Sequence, residues 1–227
     1  MKITWLGHAS FLVEGDGKRI ITDPYDPEIL KIHPVDIAAD IVVRSSDDDR
    51  AHSCIDFIPP GYRLLTATEH VNPDFGSVEA EGVDFSFALA RESLIHKEAP
   101  GDNGMYSFSL EGISITHMGD VGNPLSERQI DFMQGTDILF ALAGGPPVIE
   151  TDDLLQVIDA VQPAIVIPMH YRIPGPEFFM LPVDVLSDRF PPEMVEKRGR
   201  SALELGRESI GEVKDSPRLI ILNPALG

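Results

Sequence analysis

The chain has 227 residues, of which 43% are hydrophobic, enough to bury a sizeable core in one domain over residues 1–227. Its 37 acidic and 18 basic residues give a formal net charge of −19, which argues against a nucleic-acid partner because a polyanion would be repelled over most of the surface. The sequence has no membrane-spanning apolar stretch, no leader pattern and one cysteine, so we expect a cytoplasmic protein without membrane attachment or disulfides.

The first half of the chain is predicted to form short strands separated by glycine-containing turns. Strand-type residues fill 2–6, 10–14 and 18–22, and Asp16-Gly17 is typical of a tight hairpin. An apolar run at 41–43 predicts a buried strand. The remaining strand predictions in this half are 63–66, 82–89, 105–110 and 113–116, with Glu111-Gly112 as the turn between the last two.

Strands and helices alternate in the second half. Ser126 and Gln129 form a capping-box pattern that predicts a helix to about residue 134, where Gly135 follows. Thr151 is predicted to be the N-cap of a second helix, which Pro163 ends. Strands are predicted at 137–142, 164–167 and 218–222, and residues 172–205 as an irregular excursion with one or two helices. This order predicts a layered α/β sandwich rather than a doubly wound sheet.

Ligand-type side chains follow several predicted strands at the points where the strands end. His8 follows the first strand, Asp23 the third, and the His117-Met118-Gly119-Asp120 segment a later one. His170 ends another strand, and His96 precedes a glycine-containing loop. One such histidine is weak evidence, but several at strand ends indicate a site built on a rigid sheet.

Five segments together resemble the metallo-β-lactamase superfamily. They are residues 3–11 (ITWLGHASF), 21–24 (ITDP), 116–122 (THMGDVG), 143–145 (AGG) and 165–171 (IVIPMHY), in the order of that family. The chain is most similar to the branch of small metal-dependent hydrolases that includes ascorbate-6-phosphate lactonase. The resemblance implies a four-layer αββα sandwich with the site at one edge of its paired sheets.

The resemblance also implies roles for individual residues. In this family two metals are held by a His-x-His-x-Asp-His loop, a middle His, a bridging Asp and a late His. The last three correspond to His96, Asp120 and His170, which we expect to bind metal, with Asp120 also catalytic. The substrate-contacting candidates are His8, Asn103 and Tyr171. Asp23 and His117 are the candidates for orienting the metal ligands through hydrogen bonds.

The loop motif is where this chain departs from the family. Aligned without a gap, its ligand positions carry Ser46, Asp48, Arg50 and Ala51. This leaves Asp48 as an extra ligand, and Asp48 and Arg50 as catalytic candidates. Shifting the register by one residue places Asp47, Asp49 and His52 on ligand positions instead. The shift needs an insertion in a tight loop, so the gapless register is the preferred prediction.

The altered loop leaves two functional classes open. A mononuclear centre with Mn²⁺, Zn²⁺ or Fe²⁺ would support hydrolysis of a lactone, ester or phosphoester. Alternatively, no metal binds, and Arg50 pairs with Asp120 or Asp48 and supplies the positive charge that the metal would have given. The chain would then be an inactive relative that binds a small ligand or partner in the former active-site cleft. Either reading implies a small molecule as the main partner and is compatible with a homo-oligomer.

Overall fold

A computed structural model describes residues 1–92, 101–174, 180–210 and 217–227. Its strands are β1 (Lys2–Gly7), β2 (Ser10–Gly15), β3 (Lys18–Thr22), β4 (Ile41–Arg44), β5 (Arg63–Thr66), β6 (Phe75–Ala80), β7 (Val83–Arg91), β8 (Asp102–Leu110), β9 (Ile113–His117), β10 (Ile138–Leu142), β11 (Ile165–Met169), β12 (Val195–Lys197), β13 (Ala202–Glu204) and β14 (Arg218–Ile221). Its α-helices are α1 (Pro27–Leu30), α2 (Arg50–Ser53), α3 (Glu127–Phe132), α4 (Thr151–Val161), α5 (Asp184–Ser187) and α6 (Arg207–Ile210). Two 3₁₀ turns, Ala67–His70 and Pro192–Met194, complete the elements.

The strands form two mixed sheets. The first has the order β13-β1-β2-β3-β4-β5 and the second β12-β14-β11-β10-β9-β8-β7-β6. In the first sheet β3, β4 and β5 run parallel, and in the second β9, β10, β11, β14 and β12 do. Parallel neighbours end at the same edge, so the segments that follow β3 and β4, and those that follow β9 and β11, are brought together.

The two sheets pack face to face around one apolar core. Phe11 of β2 and Phe140 of β10 stack across the interface with ring centroids 3.9 Å apart. The five residues of β10 are all buried, as expected for an apolar run in the middle of a parallel sheet. Helices α3 and α4 pack against each other, and α4 buries Leu154 and Ile158 in the core. The predicted αββα sandwich is confirmed.

Most predicted elements occur where the sequence indicates them, and the exceptions are edge strands and four-residue helices such as α1 and α2. The hairpin turns at Asp16-Gly17 and Glu111-Gly112 have the positive φ angles of tight turns. Strand β6 was not predicted, because its residues are mostly half-buried or exposed and lack a clean alternation. Strands β12 and β13, of three residues each, lie in the segment predicted to be irregular. Helix α4 begins at Thr151, but Glu150 rather than Thr151 is its N-cap.

None of the helices in the part of the chain that the structure describes combines the length and the apolar composition needed to cross a lipid bilayer.

Candidate metal centre

A group of polar side chains collects at the edge where the parallel strands end. His8 follows β1, Asp23 follows β3, Asp120 lies three residues after β9, and His170 follows β11 directly. His52 joins them from α2 and is almost fully buried. The backbones of His8, Asp23 and His170 all have positive φ, a strained conformation for residues other than glycine. Such strain tends to concentrate at functional sites, where the surrounding structure holds it in place.

Two imidazoles of this group converge on the carboxylate of Asp120. Its Oδ1 atom lies 3.6 Å from Nε2 of His52 and 3.5 Å from Nε2 of His170. Nε2 of His8 lies 3.2 Å from Nε2 of His52. Ligand atoms of His8, His52 and His170 lie within 4.8 Å of one another, as do those of Asp49, His52 and Asp120.

This arrangement fits a divalent cation. Oδ1 of Asp120 is buried and has no hydrogen-bond partner among the described residues, an unfavourable state for a carboxylate oxygen. Two ligands about 2.1 Å from a tetrahedral metal ion stand roughly 3.4 Å apart. The 3.2–3.6 Å separations observed here are close to that value. An ion between these atoms would satisfy the unpaired oxygen.

Asp23 fixes the orientation of the His52 ring. Its fully buried carboxylate accepts hydrogen bonds from the backbone N–H and hydroxyl of Ser45, at 2.9 and 2.7 Å, and from the hydroxyl of Tyr106 at 2.9 Å. Oδ2 of Asp23 also lies 3.2 Å from Nδ1 of His52. Because a carboxylate accepts the Nδ1 proton, Nε2 of a neutral His52 keeps its lone pair for a metal. The supporting role of Asp23 in metal binding stays a prediction.

The imidazoles of the cluster differ in charge because their surroundings differ. Burial lowers the pKa of His170 to about 4, with Asp120 opposing the shift. Burial, with His170 and His52 close by, also holds the pKa of His8 well below its usual value. Burial opposes protonation of His52 too, but Asp120 and Asp23 outweigh it and raise the pKa of His52 to about 10. Without a cation, the positive charge beside Asp120 therefore resides on His52.

The loop carrying Asp120 is positioned by two buried side chains. His117 accepts a hydrogen bond from the Gly119 N–H at Nδ1, so its Nε2 carries the proton and donates to the Ala9 carbonyl, 2.8 Å away. Asn103 accepts from the Asp120 N–H at 2.7 Å and donates to the Met118 carbonyl at 3.1 Å. A Cβ on Gly119 would stand 2.3 Å from Oδ1 of Asn103, so only glycine fits there. His117 therefore fixes the backbone that leads to Asp120, and its role in supporting a ligand stays a prediction.

Two of the predicted substrate contacts are instead internal contacts. Asn103 is fully buried, and its amide is occupied by the 118–120 loop. The hydroxyl of the buried Tyr171 donates to the Leu222 carbonyl at 3.1 Å, and its ring packs on Trp5. The third, His8, lies within the cluster itself. The predicted middle ligand, His96, lies outside the described residues.

The loop at 46–52 places two residues of the shifted register, rather than those of the gapless one, next to Asp120. Asp48 is exposed, whereas Asp49 and His52 lie beside Asp120. Asp49 caps the four-residue helix α2 by accepting a hydrogen bond from the Ala51 N–H at 2.8 Å. Because α2 coils the chain here, Asp49 and His52 share one face, as residues three apart do in a helix. Aligning residues 46–52 with the family motif residue by residue does not reveal this helical turn.

The predicted pairing of Arg50 with Asp120 or Asp48 is wrong for Asp120. Nε of Arg50 lies 2.8 Å from Oδ2 of Asp26, and its Nη2 lies 2.9 Å from Oδ2 of Asp56. The guanidinium therefore braces α2 against neighbouring loops instead of supplying positive charge to the cluster. The physical reason is again α2, on which Arg50 and His52 point in different directions.

His52 is the residue of the cluster that the preferred alignment did not place on a ligand position. The available signal was its place in the shifted register, where it took a ligand position of the family motif. A second signal is the pair formed by Asp23 and His52, since metal-binding imidazoles commonly donate their other ring proton to a carboxylate.

The comparisons with known proteins agree with this architecture. A family model described as the β-lactamase superfamily domain matches residues 2–170. A metal-dependent hydrolase of Thermoplasma acidophilum is 28% identical over 189 residues, covering 76% of this chain and 84% of the relative. One from Methanosarcina mazei is also 28% identical, over 193 residues, with the same two coverages.

Solved structures show the same fold. A candidate Zn-dependent hydrolase of the metallo-β-lactamase superfamily from Thermotoga maritima is 28% identical, with a TM-score of 0.73 and 97% of each chain covered. An isothiocyanate hydrolase from gut bacteria of Delia radicum is 14% identical, with a TM-score of 0.63, covering 99% of this chain and 97% of that one. At that identity the second similarity concerns the fold alone.

Proposed function

Because the chain belongs to the β-lactamase superfamily domain family, we propose that it is a hydrolase whose divalent cation is held by His52, His170 and Asp120. The observation that carries the proposal is the buried, unpaired Oδ1 of Asp120, with an imidazole Nε2 at 3.5 Å and another at 3.6 Å. The altered loop supports a single ion, because Ala51 offers no ligand and Asp47 is exposed beside Arg44.

When bound, such an ion lowers the pKa of a water and polarises the bond to be cleaved. The imidazole-rich ligand set favours Zn²⁺ or Fe²⁺ over Mg²⁺ and Ca²⁺. The protein contributes a rigid set of ligands, with Asp23 orienting His52 and Asn103 holding the backbone of Asp120.

Asp49 is our candidate for the general base. It is half-buried, and its carboxylate lies within 4.8 Å of the ligand atoms of His52 and Asp120. In ester hydrolysis the water oxygen bonds to the acyl carbon, and a water proton passes to the Asp49 carboxylate. The bond from the acyl carbon to the leaving oxygen then breaks, and Asp49 returns the proton to that oxygen.

The charges around the cluster favour an uncharged carbonyl substrate, an ester or a lactone, over a phosphoester. Asp23, Asp49 and Asp120 surround the site, and Arg50 is engaged by Asp26 and Asp56. A phosphoester needs cationic side chains around its oxygens, and the described part of the cluster offers none apart from its histidines.

The test is hydrolysis by the full chain loaded with Zn²⁺, Fe²⁺ or Mn²⁺, using aryl esters, γ-lactones and aryl phosphodiesters. We expect turnover of esters or lactones that a chelator abolishes and that added metal restores. Asp49→Asn should lower kcat by about 10²-fold or more, the usual contribution of a general base. Asp48→Asn, one residue away and exposed, is the matched control and should hydrolyse at the unaltered rate.

Preference for the phosphodiester would contradict the proposed substrate class. An unchanged rate in Asp49→Asn would remove Asp49 from the reaction. If metal-loaded protein turned over none of these compounds, the second function, ligand binding by an inactive relative, would take precedence. That alternative no longer has Arg50 in support, since its guanidinium is bound elsewhere.

A further inference from the structure

His8 is held firmly at the edge of the cluster. It occupies the turn between β1 and β2 with φ of 52°, and it is 6% exposed. Its carbonyl accepts hydrogen bonds from the indole N–H of Trp5 and the backbone N–H of His170, each at 3.0 Å. The second of these bonds ties the turn after β1 in one sheet to the end of β11 in the other. Two imidazoles from different sheets are thereby kept together.

The imidazole of His8 faces the same point as the other ligands. Its Nε2 lies 3.2 Å from Nε2 of His52, and its ring centroid lies 3.9 Å from that of His170. Since Asp23 takes the Nδ1 proton of His52, Nε2 of a neutral His52 presents a lone pair toward His8. A cation placed between two such nitrogens would bind both, and their separation fits the roughly 3.4 Å expected for two ligands of one tetrahedral ion.

We infer that His8 is a direct ligand of the ion, which gives a four-coordinate set of His8, His52, His170 and Asp120. The inference rests on the proposed function, because it concerns the same ion. It adds a ligand where Ala51, the residue before His52, has none to offer. Three imidazoles and one carboxylate make a site that prefers Zn²⁺ and Co²⁺ to the hard cations Mg²⁺ and Ca²⁺.

The test uses Co²⁺, whose visible absorption reports the number and kind of its ligands. Unaltered protein, His8→Asn and His33→Asn are each titrated with Co²⁺, and Zn²⁺ affinity is measured by competition with a chelating dye. Asparagine is chosen because it tolerates positive φ better than most residues. His33 is an exposed histidine outside the cluster, so its variant controls for the loss of an imidazole.

We expect unaltered protein and His33→Asn to give the same four-coordinate spectrum and affinity. His8→Asn should bind Zn²⁺ more weakly by over roughly 100-fold, beyond the roughly 10–100-fold loss of a group that only supports a ligand, and should change the Co²⁺ spectrum. Thermal unfolding of the metal-free proteins shows whether His8→Asn is folded. If it is not, His8→Gln is taken through the same titration.

An unchanged spectrum and affinity in the His8 variant would overturn this inference and leave the proposed function standing. Failure of the unaltered protein to bind Co²⁺ or Zn²⁺ would overturn both.

Discussion

At the scale of residues, the candidate centre depends on buried polar side chains that hold one another in place through hydrogen bonds. Asp23 combines hydrogen bonds from Ser45 and Tyr106 with the contact to His52, so one carboxylate holds three segments in place. Burial disfavours the charged form of Asp23 and by itself would raise the pKa of this carboxyl group. His117 and His52 lower the pKa of Asp23 instead. This carboxylate is therefore ionised while fully buried.

Replacing Asp23 tests how far metal binding depends on the carboxylate that contacts Nδ1 of His52. In Asp23→Asn the charge opposite Nδ1 of His52 is lost, and we expect Zn²⁺ affinity to fall roughly 10–100-fold. The measurement is competition with a chelating dye. Tyr106→Phe removes one hydrogen bond to Asp23 but keeps the charge, so it should weaken binding less. Equal affinity in Asp23→Asn and unaltered protein would show that Asp23 serves the fold alone.

Substituting two glycines by alanine distinguishes the cost of steric crowding at the site from the cost of backbone strain. Gly119 and Gly112 have similar φ angles, 63° and 69°, but a Cβ on Gly119 would stand 2.3 Å from Oδ1 of Asn103, whereas one on Gly112 meets nothing within 4 Å. Gly112→Ala should lower the free energy of unfolding by about 1 kcal/mol. Gly119→Ala should lower it by about 2–4 kcal/mol, because crowding adds to strain. Urea unfolding measures both, and equal losses would refute the crowding.

At the scale of elements, the regular strands were accessible from the sequence and the turn at the site was not. Apolar runs such as 138–142 and 165–167 report burial on both faces of a sheet directly. The helix α2 has four residues and carries little periodicity, so nothing local reveals that it coils. Its coiling selects Asp49 over Asp48 as the neighbour of Asp120. The positions of His170 and Asp120 near strand ends were predictable from the strand pattern, whereas the resemblance alone implied their roles as ligands.

Replacing Arg50 tests whether its ion pairs with Asp26 and Asp56 are needed to hold α2 in place. Its guanidinium pairs with Asp26 and Asp56, and its carbonyl accepts from the Asp26 N–H at 2.9 Å. Because these ion pairs are exposed, Arg50→Ala should change the free energy of unfolding only slightly. Metal content should stay the same, since Arg50 lies outside the cluster. Loss of metal in this variant would mean that the brace is needed to position His52.

At the scale of the whole molecule, the fold gathers one site from distant parts of the chain. His8, His52, Asp120 and His170 come from segments that neither sheet could bring together alone. A layered α/β sandwich was predictable because the order of strands and helices limits the possible layers, and the resemblance to the metallo-β-lactamase superfamily implied its αββα arrangement. Which side chains meet at the edge depends on register and twist across two sheets, and local sequence does not carry that information.

The overall charge gives a prediction for the whole molecule. With a formal net charge of −19, the surface should repel RNA and DNA at physiological salt. We expect no change in the fluorescence anisotropy of labelled transfer RNA or duplex DNA on addition of the full chain. Saturable binding that weakens as salt increases would show a local basic surface and contradict this expectation.

The central claim is that one divalent cation binds where His52 and His170 meet Asp120, and the most direct test is metal content. Protein purified without chelators, and the variants His52→Ala and Asp48→Ala, would be incubated with excess Zn²⁺, desalted and analysed for metal and protein. We predict about one ion per chain in unaltered protein and Asp48→Ala, and loss of the ion in His52→Ala. Metal retained in His52→Ala but lost in Asp48→Ala, or no metal in unaltered protein, would contradict the account.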